Sequence, residues 1–156
     1  MASVPPEPMR LALDEARAAE RDGEVPVGAV VMRGGEVIAT GRNRMRTDND
    51  PTAHAEIVAL RRAGLFLGTS RLDECDLHVT LEPCAMCAGA IAVARIRRLY
   101  FGAEDAKGGA VLHGPRFYEQ PTCHHAPEVF PGIEAEESAE MLKAFFRARR
   151  RQRARL

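Results

Sequence analysis

The sequence predicts an α/β domain, a sheet with helices packed on its faces, and three observations carry that prediction. Two β-branched runs flank a Gly-Gly turn, and short apolar strand-like segments alternate with Ala-rich helical ones downstream. No internal repeat, low-complexity tract or long Ser/Gly linker divides the 156 residues. The first helix is expected over Met9–Arg21, with Pro8 suited to its first turn and Gly23 closing it. Val25–Met32 and Val37–Arg42 read as a hairpin turned by Arg33-Gly34-Gly35-Glu36. Thr52 is placed to cap a second helix that runs through Ala63 and stops at Gly64. Asp76–Leu81 is a strand, Pro83 suits the first turn of a helix reaching Ala94, and Arg98–Gly102 is a further strand. Residues 103–132 read as loop. Glu134–Arg150 is helical, with Met141, Leu142, Phe145 and Phe146 on one side and the phenylalanines expected in the core. One domain spans 1–156, with 1–7 and 151–156 as flexible ends.

Composition narrows the class. With 46% hydrophobic residues the chain is not disordered as a whole, and at this length it can bury about two thirds of its unfolded surface. The longest uncharged apolar stretch, Cys84–Ala94, has eleven residues where a bilayer span needs about 18. Met1–Arg10 lacks a hydrophobic signal core, so the reading is a soluble cytoplasmic protein with no membrane partner. Four cysteines are too sparse for a disulfide scaffold. Lys+Arg and Asp+Glu balance at 22 each, yet residues 147–155 hold six arginines and no acid.

The chemistry lies in His54-Ala55-Glu56 and Pro83-Cys84-Ala85-Met86-Cys87, each where a strand or loop hands over to a helix. Two cysteines three apart on a first helical turn face one side, and the positive end of the helix dipole favours their thiolates. A histidine opening a second helix supplies a third ligand. Three N/S ligands leave the fourth tetrahedral position of a zinc ion to water, the arrangement of catalytic sites. Zinc lowers the pKa of such a water to about 7. Glu56, two residues past the histidine, reaches that water without occupying the metal and serves as general acid and base.

Blander readings exist for each motif. Alone, Cys84-x-x-Cys87 is equally a dithiol redox pair or half of a structural zinc site. A redox pair needs no His-x-Glu, and a structural site needs a fourth ligand from among Cys75, Cys123, His124 and His125. His78, mid-strand, reads as a core or surface histidine. His113 is undecided. Cys75 and Cys123 read as passive thiols, and Cys123-His124-His125 either lines a pocket mouth or holds its loop.

These motifs resemble the zinc-dependent cytidine/deoxycytidylate and nucleoside deaminases, and within them the bacterial tRNA-specific adenosine deaminases, which carry the H-x-E…P-C-x-x-C signature. The resemblance extends over residues 24–30, 41–44, 52–56, 79–90, 95–96, 100–103, 105–107 and 145–147. It implies a three-layer α/β/α cytidine-deaminase-like fold with a central mixed sheet of about five strands. It implies one Zn2+ per subunit on His54, Cys84 and Cys87, Glu56 as proton shuttle, and a homodimer acting on a tRNA anticodon stem-loop. The reaction implied is adenosine to inosine at the wobble position. Asn43 would hydrogen-bond the flipped purine, Val27, Ala55, Leu81 and Pro83 would wall it, and Asp105 would meet a 2′-hydroxyl. Lys107–Pro131 departs from the best-known pattern, which leaves contacts from this loop open. Six arginines in nine residues exceed what a helix end needs, and with Lys107 the residues Arg147, Arg149 and Arg150 read as phosphate contacts. Two rivals stand beside this reading: a zinc deaminase of free bases or nucleosides such as guanine or cytosine, and a non-catalytic RNA-binding module stapled by zinc.

Overall fold

The computed structural model describes residues 7–155. In chain order the elements are α1 (Pro8–Arg21), β1 (Gly28–Arg33), β2 (Glu36–Arg42), α2 (Ala55–Leu67), β3 (Cys75–Leu81), α3 (Ala85–Ala94), β4 (Arg98–Ala103), β5 (Glu128–Phe130) and α4 (Ala135–Ala154). The five strands form one mixed sheet in the order β2-β1-β3-β4-β5. β1 is antiparallel to β2 and β3, while β3, β4 and β5 run parallel. Alternation along β1 builds two cores. Ala29 and Val31 pack with Ala55, Ala59 and Ile91 of α2 and α3, while Val30 and Met32 pack with Met9, Ala12 and Leu13 of α1. Met141 of α4 joins the second cluster, so α1 and α4 cover one face and α2 and α3 the other. Three layers result, as expected.

α4 is tied to α1 by Glu137, whose carboxylate pairs with both Arg10 and Arg17. The helix continues to Ala154, beyond Arg150, and so includes most of an end expected to be flexible; residues 1–6 and 156 of the expected ends lie outside the described residues. Among the described residues no helix is long and apolar enough to cross a membrane.

Several expected boundaries are corrected. Thr52 does not cap α2: its N–H and hydroxyl both donate to Asp50 Oδ1, at 2.9 and 2.7 Å, and His54 is the N-cap. Gly64 lies inside α2, which ends at Gly68 with φ 69°, the left-handed cap glycine favours. Pro83 stands before α3 rather than in its first turn, and Cys84 is the N-cap. Val25–Val27 precede β1 rather than opening it. The region 103–132 holds β5 and a 3₁₀ turn over Phe117–Glu119, both too short to leave a periodic pattern.

The sheet brings one set of chain ends together. Gly28 pairs with Arg42, so the start of β1 and the end of β2 lie at the edge where parallel β3 and β4 also end. Ligands in α/β sheets bind outside the carboxyl ends of parallel strands, and Asn43, Glu82 and Asp105 all follow strands that end here. Gly41 seats the neighbouring helix. A Cβ there would stand 2.6 Å from both Ala55 O and Ala59 N, so only glycine lets the start of α2 lie this close to β2.

Candidate active site

α2 and α3 present their N-termini to this edge, capped by His54 and Cys84, neither of which makes a side-chain capping hydrogen bond. Cys87 lies one turn into α3 and is fully buried. His54 Nδ1 is 3.5 Å from Cys84 Sγ and 3.5 Å from Cys87 Sγ. Bonds of about 2.3 Å to sulfur and about 2.0–2.1 Å to nitrogen at a tetrahedral angle separate N from S by about 3.5 Å, so these atoms fit a zinc ion. Among the described residues His54, Cys84 and Cys87 are the only group of three such ligands within metal reach. A fourth protein ligand from Cys75, Cys123, His124 or His125 is absent from that group, which leaves the site open on one side.

The three groups share protons tightly. Cys84 accepts from Cys87 and from His54, and its thiol is held down at about 4. The same Cys84 partner, with burial, pushes the Cys87 thiol up, and the Cys84 contact raises the His54 imidazole above its usual range. Metal binding needs these groups deprotonated, so an ion would compete with protons for the cluster. Glu56 is 4% exposed in the first turn of α2, and burial raises its carboxyl, opposed by its own N–H and by His54. A carboxylate so placed holds a proton more readily than one in water, as a shuttle requires.

A pocket of 290 Å³ opens in front of these groups. Val27, Asn43, Ala55, Leu81 and Asp105 line it with His54, Glu56 and Cys84. Pro83 is buried and does not line the pocket. Asn43 is 7% exposed; its N–H donates to Val27 O at 3.2 Å and its Oδ1 accepts from Met45 N at 3.4 Å. The side-chain NH2 remains for a ligand. Asp105 Oδ1 accepts the N–H groups of Lys107 and Gly108, at 3.1 and 2.9 Å. Val25, Met45, Glu82 and Gly108 also line the pocket without having been singled out from sequence. Glu82 directly precedes Pro83-Cys84-Ala85-Met86-Cys87, and no spacing in the sequence marks it.

Asp105 and Gly108 also line an adjoining cleft of 690 Å³ under α4, together with Lys107, Leu142, Lys143, Phe146, Arg147 and Arg150. Phe146 is 42% exposed in this cleft, a correction to its expected place in the core: Met141 and Leu142 take the inward face of α4. Arg149 points elsewhere. Its guanidinium lies 4.7 Å over the Phe145 ring and reaches Gly23 O at 3.5 Å.

The remaining candidates hold structure. His125 Nε2 donates to Ile96 O at 2.7 Å, and Cys123 Sγ to His125 O at 3.1 Å, which fixes their loop away from the pocket. His78 stacks on Tyr100 at 4.4 Å, and Tyr100 on Phe130 at 4.7 Å, across β3, β4 and β5. Cys75 is buried, and burial pushes its thiol up. His113 pairs with Glu82.

Residues 6–150 match the MafB19-like deaminase family. Over 142 residues the chain is 60% identical to the tRNA-specific adenosine deaminase of Agrobacterium fabrum, covering 91% of this chain and 93% of that one. It is 43% identical to the tRNA-specific adenosine deaminase of Bacillus subtilis, over 93% of this chain and 90% of the relative. A structure solved in studies of A-to-I editing by tRNA:A34 deaminases superposes with a TM-score of 0.86 at 60% identity, over 86% of this chain and 98% of the other. A guanine deaminase from Nitrosomonas europaea superposes at 0.77 with 26% identity, over 93% of this chain and 86% of the other.

Proposed function

The chain belongs to the MafB19-like deaminases and, within them, to the tRNA-specific adenosine deaminases, and we propose that it converts adenosine to inosine at the wobble position of a tRNA anticodon loop. The observation that carries the reading is that the pocket in front of His54, Glu56 and Cys84 shares Asp105 and Gly108 with the basic cleft under α4. A base-sized chamber alone suits a free nucleobase. A chamber that adjoins a cleft lined by Lys107, Arg147 and Arg150 suits a base still attached to its phosphate backbone.

His54, Cys84 and Cys87 would hold one Zn2+ per subunit, which when bound supplies an acidified water at neutral pH. Glu56 would take one proton from a water in the pocket and pass it to N1 as the water oxygen bonds to C6; it would then take the remaining proton from the new C6 hydroxyl and deliver it to the exocyclic nitrogen, so that C6=O forms as the C6–N bond breaks and ammonia leaves. The raised Glu56 carboxyl serves the delivery half of this cycle. Asn43 donates through its amide to the base edge. Val27, Ala55 and Leu81, with Pro83 behind them, keep the ring dry, so the proton passes between Glu56 and the base rather than to solvent. Asp105 accepts from a 2′-hydroxyl, which favours RNA over DNA. Lys107, Arg147 and Arg150 meet phosphates, with Arg149 at the margin.

The protein acts in the cytoplasm as a homodimer. A groove of 690 Å³ lined by Ile57, Leu60, Leu65, Leu72, Val93 and Ala94 runs along α2 and α3, and Leu65, Phe66 and Val93 are largely exposed beside it. A second copy covering this face buries apolar surface that monomers rarely expose, and steadies the helices that carry the ligands. Sedimentation that finds a monomer at micromolar concentration would remove this part.

The test is mass-resolved conversion of adenosine to inosine in an anticodon stem-loop, run beside free adenine, guanine, cytosine and cytidine with zinc-loaded protein. Conversion of the wobble adenosine alone supports the reading. Conversion of guanine alone would favour the free-base reading to which the Nitrosomonas europaea guanine deaminase lends its fold. Zinc and RNA binding with no deamination of any substrate would leave the RNA-binding module.

A further inference from the structure

Two carboxylates unused by the chemistry above are among the most deeply buried polar groups: Glu24 at 1% exposure and Glu82 at 2%. Each lies beneath a different lip of the pocket. Glu24 accepts the N–H groups of Arg46 and Thr47, at 3.2 and 2.7 Å, and the Thr47 hydroxyl at 2.7 Å, on the turn that follows Asn43. Glu82 lies beneath the opposite lip. Its Oε1 accepts Asp105 N–H at 3.0 Å and the His113 ring Nδ1–H at 2.8 Å. Its Oε2 accepts the N–H groups of Val111, Leu112 and His113, at 3.2, 3.0 and 3.2 Å.

Residues 104–113 belong to no helix or strand, so these main-chain donors have no ladder to satisfy them. One carboxylate gathers four of them. The fit is close: a Cβ on Gly109 would stand 2.4 Å from Glu82 Oε2, so the backbone can wrap the carboxylate only where glycine lies. The wrapped segment begins at Asp105 and includes Gly108, the two residues shared by the pocket and the basic cleft.

We propose that Glu82 is a positioning residue for RNA: from beneath, it holds the 105–113 lip in the one conformation that joins the base pocket to the phosphate cleft. The proposal rests on the tRNA reading above. It goes beyond it in assigning a part in substrate recognition to a buried carboxylate that acts through the lip it holds. Removing the acceptor frees Asp105 and Gly108 to move while Cys84 stays anchored by α3, so the loss falls on RNA binding rather than on turnover.

Two variants test it. Glu82→Gln replaces an acceptor oxygen by an NH2 facing N–H donors, and Gly109→Ala forces the lip away from Glu82 without altering the Cys motif. Each is compared with wild type in metal content, amide hydrogen exchange, and kcat and KM for the anticodon stem-loop. The expected result is one zinc per chain in all three, faster exchange confined to Asp105 and residues 111–113, and a KM raised about tenfold with kcat within about threefold. An unchanged KM in both variants, slow exchange retained at those amides, or a fall in kcat or zinc content at constant KM would overturn the assignment. If Glu82→Gln does not fold, Gly109→Ala decides alone. Wild type that converts no stem-loop would sink the tRNA reading itself, an outcome separate from a wild type that converts it and variants that match.

Discussion

The pocket and the cleft that adjoins it are built by opposite means. In the pocket, His54, Glu56, Cys84 and Cys87 lie within the first turn of two helices, and the backbone sets their spacing. In the cleft, Lys107, Lys143, Arg147 and Arg150 extend on long flexible stems from a loop and an exposed helix face. Rigid groups suit proton transfer, which fails when a carboxylate moves by an ångström. Mobile cations suit a polyanion, whose phosphates need charge nearby more than fixed geometry. The difference teaches where each kind of damage will register: pocket substitutions in kcat, cleft substitutions in KM and salt dependence.

The largest expected effect is that of Glu56→Gln, which keeps shape and removes the proton shuttle. It should lower kcat by about 10²–10⁴-fold while zinc content and stem-loop affinity stay at wild-type values. Residual turnover near wild type would break the division, because the pocket would then be working without its base.

Acidification comes next. The ligands bind metal only when deprotonated, and the Cys84 contact raises His54, so protons displace the ion as pH falls and not as it rises. Metal analysis after dialysis should find about one ion per chain at pH 7.5 and little below about pH 5. Full occupancy well below that point would contradict the ligand set.

Removal of charge from the cleft should act more gently. Arg147→Ala and Arg150→Ala should each weaken stem-loop binding several-fold, at unchanged kcat under saturation. Each should also reduce the slope of log affinity against log salt by about 0.7–0.9. Arg149→Ala sharpens the comparison, since stacking on Phe145 holds that guanidinium back from the cleft. Its effect on the salt slope should be smaller than that of either neighbour.

The smallest effect belongs to the sheet beneath both regions. Burial pushes the His78 imidazole down to about 4, so the folded state keeps it neutral while an unfolded chain protonates near 6.5. Its contribution is whole above pH 6.5 and is lost as pH falls toward 4, on the order of 2 kcal/mol. His78→Phe, which preserves the stack on Tyr100, should flatten that part of the denaturation profile. A profile as steep as wild type would place the acid sensitivity elsewhere.

The same contrast explains what could be read in the sequence. His54, Glu56, Cys84 and Cys87 were legible because each pair is close in sequence and helix geometry converts that spacing into distance. Asn43, Asp105 and the pocket walls came only through resemblance, for their convergence depends on β2, β3 and β4 ending at one edge. Glu82 escaped notice because its partners lie 23 to 31 residues away along the chain. The expected cap at Thr52 failed where Asp50 captured its hydroxyl, a competition between side chains that no propensity records. Phe146 read as core because helical periodicity identifies an apolar stripe but not whether a neighbour covers all of it.

α2 and α3 both begin without a side-chain cap, and the residues at their caps, His54 and Cys84, are two of the three that could hold a metal ion. An ion held there would cross-link the first turns of two helices, and its binding energy would become part of the free energy of folding. A newly made chain that finds no metal would lack that cross-link between two helices that share one core. Metal supply in the cell then sets the protein's lifetime against proteases as well as its turnover, and scarcity would lower abundance along with activity.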